Sequence, residues 1–177
     1  VYTDHLLALI DAAAALEINC ITTFVGRDKN QTIEAQWPRF LSTWRPIVAY
    51  AGKKNVSIGI ENCPMRFTKD EWPGGTNLAV SPAVWEQMWT DIPDANWGLN
   101  YDPSHFILQQ MDYTLPFRKY PERMIHVHAK DARIDIEKRN HHGVFSHPNL
   151  WHTPKIPGLG DVNWGCFIGY LRETGYD

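Results

Sequence analysis

The chain has 177 residues, a length that suits one domain with a substantial hydrophobic core. Its 17 basic and 20 acidic residues give a net charge of −3 and are interspersed, which argues against a nucleic-acid-binding face. No apolar stretch approaches the roughly 20 residues that span a bilayer. We therefore predict one folded domain, residues 1–177, that binds neither nucleic acid nor membrane.

The cysteine pattern predicts a reducing compartment. Cys20, Cys63 and Cys166 form no CxxC pair, and an odd number at wide spacing is a poor disulfide framework. No basic segment followed by an apolar segment marks a signal peptide. We therefore expect a cytoplasmic protein. The chain begins with Val1 and ends within what reads as a turn, so we also expect both ends to be cut.

The first half of the chain alternates between helix and strand patterns. Residues 3–18 are rich in alanine and leucine and predict a helix. Residues 20–25 form a β-branched and aromatic run typical of a buried parallel strand. Residues 37–52 place apolar side chains at helical spacing, with Pro46 as a kink. Residues 56–61 predict the second strand.

The alternation continues to the end of the chain. A serine followed by proline predicts a helix over residues 82–90. Strands are predicted over residues 97–101 and 124–128, and a last helix over residues 163–174. Such alternation implies a parallel sheet with right-handed crossovers.

Two architectures fit a parallel sheet of this kind: an open doubly wound sheet and a (β/α)8 TIM barrel. The chain lacks the glycine-rich strings of dinucleotide-binding and P-loop proteins, which weakens the open sheet. A full barrel needs about 250 residues. We therefore expect a partial barrel, containing about its third to sixth strands and its helices to about the seventh, without strands at both ends.

Polar residues close three successive predicted strands: Glu61, Asp102 and His128. The carboxyl ends of parallel strands meet at one edge of a sheet, where active sites are built. Taken singly, each residue is more often solvated or part of a turn, but three at equivalent positions favour a shared site. Two carboxylates and an imidazole suit Mn²⁺, Co²⁺, Zn²⁺ or Mg²⁺. The sequence thus predicts one divalent ion acting as a Lewis acid.

More polar residues follow the same strands. His105 lies three residues after Asp102, within reach of the same ion or of a bound substrate. Lys130, Asp131 and Arg133 follow the fourth predicted strand and add a cation, a carboxylate and a guanidinium. This dense polar cluster is expected at the substrate-binding edge.

The strings IGIENCPM, NYDPSH, HVHAKDAR and PGLGDVNW occur in this order. Together they resemble the xylose isomerase-like TIM-barrel superfamily, in particular its sugar phosphate isomerase/epimerase branch, which includes ketose 3-epimerases and inosose dehydratases. The resemblance spans roughly residues 20–177. It implies a divalent ion, most often Mn²⁺, held by Glu, Asp, His and a second Glu. Glu61, Asp102 and His128 match the first three ligands, and the fourth is expected beyond Asp177.

The resemblance also implies an activity: proton transfer through an enediolate on a ketose or inosose, with Glu61 as an acid/base as well as a ligand. His105 and Arg133 are expected to hold substrate oxygens, and Lys130 or Asp131 to orient them. The partner is then a small sugar or polyol, and a homo-oligomer is compatible with the pattern.

Two alternatives stay open. One is an apurinic endonuclease-like zinc phosphodiesterase of the same superfamily, which the negative net charge disfavours. The other is a non-catalytic sugar-binding fragment, whose polar edge would bind a polyol without turning it over.

Overall fold

The computed structural model describes residues 2–65 and 75–176. Its main sheet has four parallel strands, adjacent in chain order: β1 (Cys20–Thr23), β2 (Ser57–Glu61), β3 (Trp97–Tyr101) and β4 (Met124–Val127). This is a half-barrel sheet with helices between its strands. The prediction of a partial (β/α)8 barrel is confirmed.

Seven α-helices are present in the described ranges, and none has the length and apolar character needed to cross a membrane. They are α1 (Tyr2–Ala15), α2 (Ile33–Lys53), α3 (Pro82–Asp91), α4 (Pro103–Leu108), α5 (Leu115–Lys119), α6 (Ile136–His142) and α7 (Trp164–Thr174). Two 3₁₀ turns occur at Pro121–Arg123 and Pro148–Leu150, and a separate antiparallel hairpin pairs β5 (Asp131–Ile134) with β6 (His152–Lys155).

Some elements differ from the sequence expectation. Helix α2 begins at Ile33, four residues before the predicted start at 37, because the Thr32 hydroxyl accepts a hydrogen bond from the Ala35 amide at 3.1 Å and caps the helix. The short helices α4, α5 and α6 and the β5–β6 hairpin were not predicted. Helices α4, α5 and α6 have 6, 5 and 7 residues, too few for a clear hydrophobic period.

Aromatic side chains fill the layer between the sheet and its helices. Trp44 of α2 packs on Trp97 of β3, with ring centroids 5.0 Å apart. Tyr101, at the end of β3, makes edge contacts with Phe106 and Phe117. Burying each such side chain contributes about 1.5–3 kcal/mol. This packing holds β3 firmly, and with it the edge from which Asp102 projects.

Candidate active site

Three residues from neighbouring strands meet at the carboxyl edge of the sheet. Glu61 is the last residue of β2, while Asp102 and His128 directly follow β3 and β4. One ligand atom from each lies within 4.8 Å of the others, and His128 Nδ1 is 3.6 Å from Glu61 Oε1. Donors that share a divalent ion at about 2.1 Å lie up to about 4.2 Å apart. Small side-chain movements would therefore let this trio bind one ion.

The Asp102 carboxylate supports that fit. It is fully buried, and its Oδ1 accepts hydrogen bonds from the Ser104 amide at 2.8 Å and hydroxyl at 2.6 Å. Its Oδ2 accepts none from residues 2–65 and 75–176, although Lys130 Nζ and His105 Nε2 each lie 3.2 Å away at ion-pair distance. A buried carboxylate oxygen that faces cationic groups is suited to bind a cation.

His105 lies between the two carboxylates. Its Nε2 is 3.2 Å from both Glu61 Oε1 and Asp102 Oδ2. Burial alone favours a neutral imidazole, but contacts with Asp102, Cys63 and Glu61 raise the pKa of His105 to about 10. Burial likewise opposes the Asp102 carboxylate, yet contacts with His105, Ser104 and Lys130 lower its pKa to about 2. The His105 imidazolium therefore balances part of the negative charge of the Glu61 and Asp102 carboxylates.

The structure places Lys130 at this site and surrounds the Asp131 carboxylate with hydrogen-bond donors. Lys130 Nζ faces Asp102 from a half-exposed side chain. The Asp131 carboxylate is fully buried and engaged by the loop before α7. It accepts hydrogen bonds of 2.8–3.1 Å from the amides of Ala132, Gly158, Gly160 and Val162 and from the indole of Trp164.

Arg133 lies apart from the three converging residues. Its side chain is 57% exposed and its Nε is 4.0 Å from Asp161 Oδ1, on the β5–β6 hairpin. The structure therefore brings His105 and Lys130 to the Glu61–Asp102–His128 edge but leaves Arg133 in solvent.

Sequence reasoning missed three buried asparagines that hold the site residues in place. Asn62 bonds the backbone of Asp102. Asn77 donates to the carbonyls of Glu61 at 2.7 Å and Cys63 at 2.8 Å. Each side-chain amide supplies hydrogen bonds to backbone groups that would otherwise lack a partner, because the backbone there is irregular.

The third asparagine, Asn100, contacts two histidines, one within β4 and one directly after it. Its Oδ1 is 2.9 Å from His126 Nδ1, and its Nδ2 is 3.2 Å from His128 Nε2. Burial is the main cause that lowers the pKa of His126. An asparagine within an otherwise apolar strand was the available sequence signal, because a buried amide needs partners.

Cys63 was also missed as a site residue. It follows β2 and lies beside His105. Burial alone would raise the pKa of the Cys63 thiol, but the contact with His105 outweighs it and lowers the pKa.

Among curated proteins, the chain is 28% identical over 131 residues to the pheromone-processing carboxypeptidase KEX1 of Blastomyces gilchristii (strain SLH14081), covering 63% of this chain and 20% of that protein. It is 28% identical over 105 residues to inosose dehydratase of Clostridium tetani (strain Massachusetts / E88), covering 58% and 35%. The chain thus spans about a fifth to a third of the lengths of these relatives.

Solved structures share the fold. The probable 3-DHS dehydratase AsbF of Bacillus anthracis superposes with a TM-score of 0.71 at 16% identity, covering 97% of this chain and 60% of that one. An L-ribulose 3-epimerase superposes with a TM-score of 0.70 at 17% identity, covering 98% and 50%. Residues 2–177 match the family described as xylose isomerase-like TIM barrel. With its parallel half-barrel sheet, the chain belongs to the xylose isomerase-like TIM-barrel family.

Proposed function

We propose that the chain acts as a metal-dependent sugar isomerase or epimerase-type enzyme, which moves a proton next to the carbonyl of a ketose or inosose. The observation that carries the proposal is the convergence of Glu61, Asp102 and His128 within 4.8 Å. Its likeness to an inosose dehydratase and to the fold of a ribulose epimerase supports the substrate class.

In this proposal Glu61, Asp102 and His128 hold one divalent ion. Two carboxylates and one imidazole suit Mn²⁺, with Co²⁺, Mg²⁺ and Zn²⁺ as the other candidates. The bound ion would polarise the carbonyl and neighbouring hydroxyl of the substrate.

The chain's own residues would then handle the proton and the substrate. Glu61 is the proposed acid/base on one face of the substrate and takes the proton from the carbon beside the carbonyl. His105, held as a cation, is the proposed hydrogen-bond donor to a substrate oxygen, and the ammonium of Lys130 would stabilise negative charge that develops on the enediolate. Arg133 remains a proposed contact to the outer end of the sugar.

The same proposed first step can lead to two kinds of product. Delivery of a proton to the opposite face of the carbon by a second acid gives an epimer, whereas expulsion of a β-hydroxyl gives a dehydration product. The shared requirement is stabilisation of an enediolate, for which cationic donors at a buried edge are suited.

Metal binding by this chain provides the first test. We expect equilibrium dialysis against Mn²⁺ to give about one ion per chain, and Glu61→Gln, Asp102→Asn and His128→Ala each to weaken binding strongly. Glu137→Gln and His141→Ala change exposed residues of α6 and serve as matched controls. Unchanged Mn²⁺ binding in the first three variants would refute the ligand assignment.

The second test is proton exchange. The Mn²⁺-loaded chain is incubated with ketoses and inososes in D₂O, and deuterium entering beside the carbonyl is followed by NMR. We expect exchange with the parent and its loss in Glu61→Gln. Sugar binding without exchange would instead indicate a binding protein, and cleavage of abasic DNA would indicate a phosphodiesterase.

A further inference from the structure

A small cavity adjoins the proposed ion site. It has a volume of about 100 Å³ and is lined by Cys63, Met65, His105, Lys130 and other residues. The Cys63 thiol gives this cavity a sulfur donor that the proposed sugar chemistry does not use.

Three of the nearby side chains form a second cluster of metal-ligand type. One ligand atom each from Glu61, Cys63 and His105 lies within 4.8 Å of the others. Glu61 is the last residue of β2, Cys63 lies two residues after it, and His105 lies in α4. Donors bound to one zinc ion lie about 3.3–3.8 Å apart, given Zn–ligand distances of about 2.0–2.3 Å, so the cluster needs only a modest contraction.

The backbone of this cluster is fixed before any ligand arrives. The side chain of Asn77, itself buried, donates to the carbonyls of both Glu61 and Cys63, which holds these two residues at one spacing. His105 is buried within a helix and keeps Nε2 within 3.2 Å of Glu61. Supporting hydrogen bonds of this kind distinguish a built site from a chance cluster.

The donor chemistry selects the ion. A sulfur, a nitrogen and an oxygen suit Zn²⁺ and its analogue Cd²⁺, whereas Mn²⁺ and Mg²⁺ favour oxygen-rich sites. We propose that Glu61, Cys63 and His105 form a second metal site for a thiophilic divalent ion, which shares Glu61 with the proposed Mn²⁺ site. Binding displaces the protons of the thiol and of the imidazole Nε2, which leave to solvent.

Cadmium titration of the full chain tests this site, because a Cd²⁺–thiolate bond has an ultraviolet charge-transfer band. We expect the band to appear with one equivalent of Cd²⁺ in the parent and in the Cys20→Ser/Cys166→Ser double variant. We expect Cys63→Ser to lack it. A band that persists in Cys63→Ser, or that is absent from the double variant, would overturn the proposal.

Alkylation of the unaltered chain keeps the test independent of any folding defect. We expect Cd²⁺ or Zn²⁺ to slow alkylation of Cys63 at least tenfold and to leave the exposed Cys166 unchanged, as measured by peptide mass spectrometry. Equal alkylation of Cys63 with and without the ion would contradict the site.

One further variant separates this inference from the proposed function. His128 belongs to the first cluster and not to the second, so His128→Ala should lose Mn²⁺ binding and keep the Cd²⁺ band. Loss of the band in His128→Ala would make His128 a ligand of the ion that Cys63 binds, and would overturn a second site distinct from the first. Failure of the parent to bind Mn²⁺ would count against the proposed function alone.

Discussion

Asn62 and Asp102 are joined by two hydrogen bonds that connect the end of β2 to the end of β3. Asn62 Nδ2 donates to the Asp102 carbonyl at 3.0 Å, and the Asp102 amide donates to Asn62 Oδ1 at 2.9 Å. Both residues are fully buried. This pair fixes the spacing between Asp102 and Glu61, which neighbours Asn62 in the chain.

Removal of this link should affect both stability and metal binding. We predict that Asn62→Ala lowers the free energy of unfolding by about 2 kcal/mol or more, because a buried amide and carbonyl lose their partners. We also expect Mn²⁺ affinity to fall about 10–100-fold. Urea denaturation and equilibrium dialysis measure the two effects, with the exposed Asn30→Ala as control. Parent-like values in Asn62→Ala would contradict the assigned role.

Asp131 should be essential for folding of the loop before α7. We predict that Asp131→Asn lowers the free energy of unfolding by more than about 3 kcal/mol, because an amide nitrogen would face several N–H donors. Glu137→Gln removes an equal charge from an exposed position and should change stability by less than about 0.5 kcal/mol. Urea denaturation distinguishes the two, and similar losses in both variants would contradict this account.

Asp131 should also make the chain sensitive to acid. Burial alone would raise its pKa, but the hydrogen bonds from Trp164, Val162, Ala132 and Gly160 outweigh burial and lower it. The unfolded carboxyl titrates near about 3.9, so its stabilisation is full above that pH and is lost as the pH falls through the folded pKa. We expect NMR titration to place the Asp131 pKa below the unfolded value; an elevated pKa would contradict this expectation.

Two glycines should respond oppositely to alanine. A Cβ at Gly98 in β3 would collide with the carbonyl oxygen of Arg123, next to the register shift between β3 and β4. We predict a loss of about 1–3 kcal/mol for Gly98→Ala. Gly169 lies in α7 with open space at its Cβ position, so Gly169→Ala should gain up to about 1 kcal/mol. Urea denaturation checks both, and equal effects would contradict the packing described.

The strands and the polar residues that end them could be predicted from the sequence, because each strand is a short apolar run followed by a charged or polar residue. Residues 97–101 were predicted with the bounds that β3 has, and β2 and β4 differ by one residue at one end. The convergence of Glu61, Asp102 and His128 followed from the geometry of a parallel sheet. Their roles as metal ligands remain predictions.

The hydrogen bonds that hold the site residues in place could not be predicted from the sequence. Asp131 meets donors from residues 158–164, about 30 positions later in the chain, and no local pattern signals such a distant partner. The contacts of Asn62 and Asn77 likewise depend on how loops return to the sheet edge. Sequence reasoning located the polar edge, whereas tertiary contacts decided which residues support it.

Asn100 contacts one ring nitrogen of His126 and one of His128. Its amide therefore couples the choice of protonated nitrogen in one histidine to that in the other. In the arrangement described, its amide nitrogen faces His128 Nε2. That nitrogen can only donate, so His128 carries its own proton on Nδ1, toward Glu61. An ion bound at Nδ1 would move this proton to Nε2.

The Asn100 amide would then have to turn over and present its oxygen to His128. Its NH₂ group would face His126 Nδ1, which must become an acceptor. Binding of the proposed ion at His128 would therefore require a tautomer exchange at His126, a residue outside the ligand trio, with the Asn100 amide rotating between them.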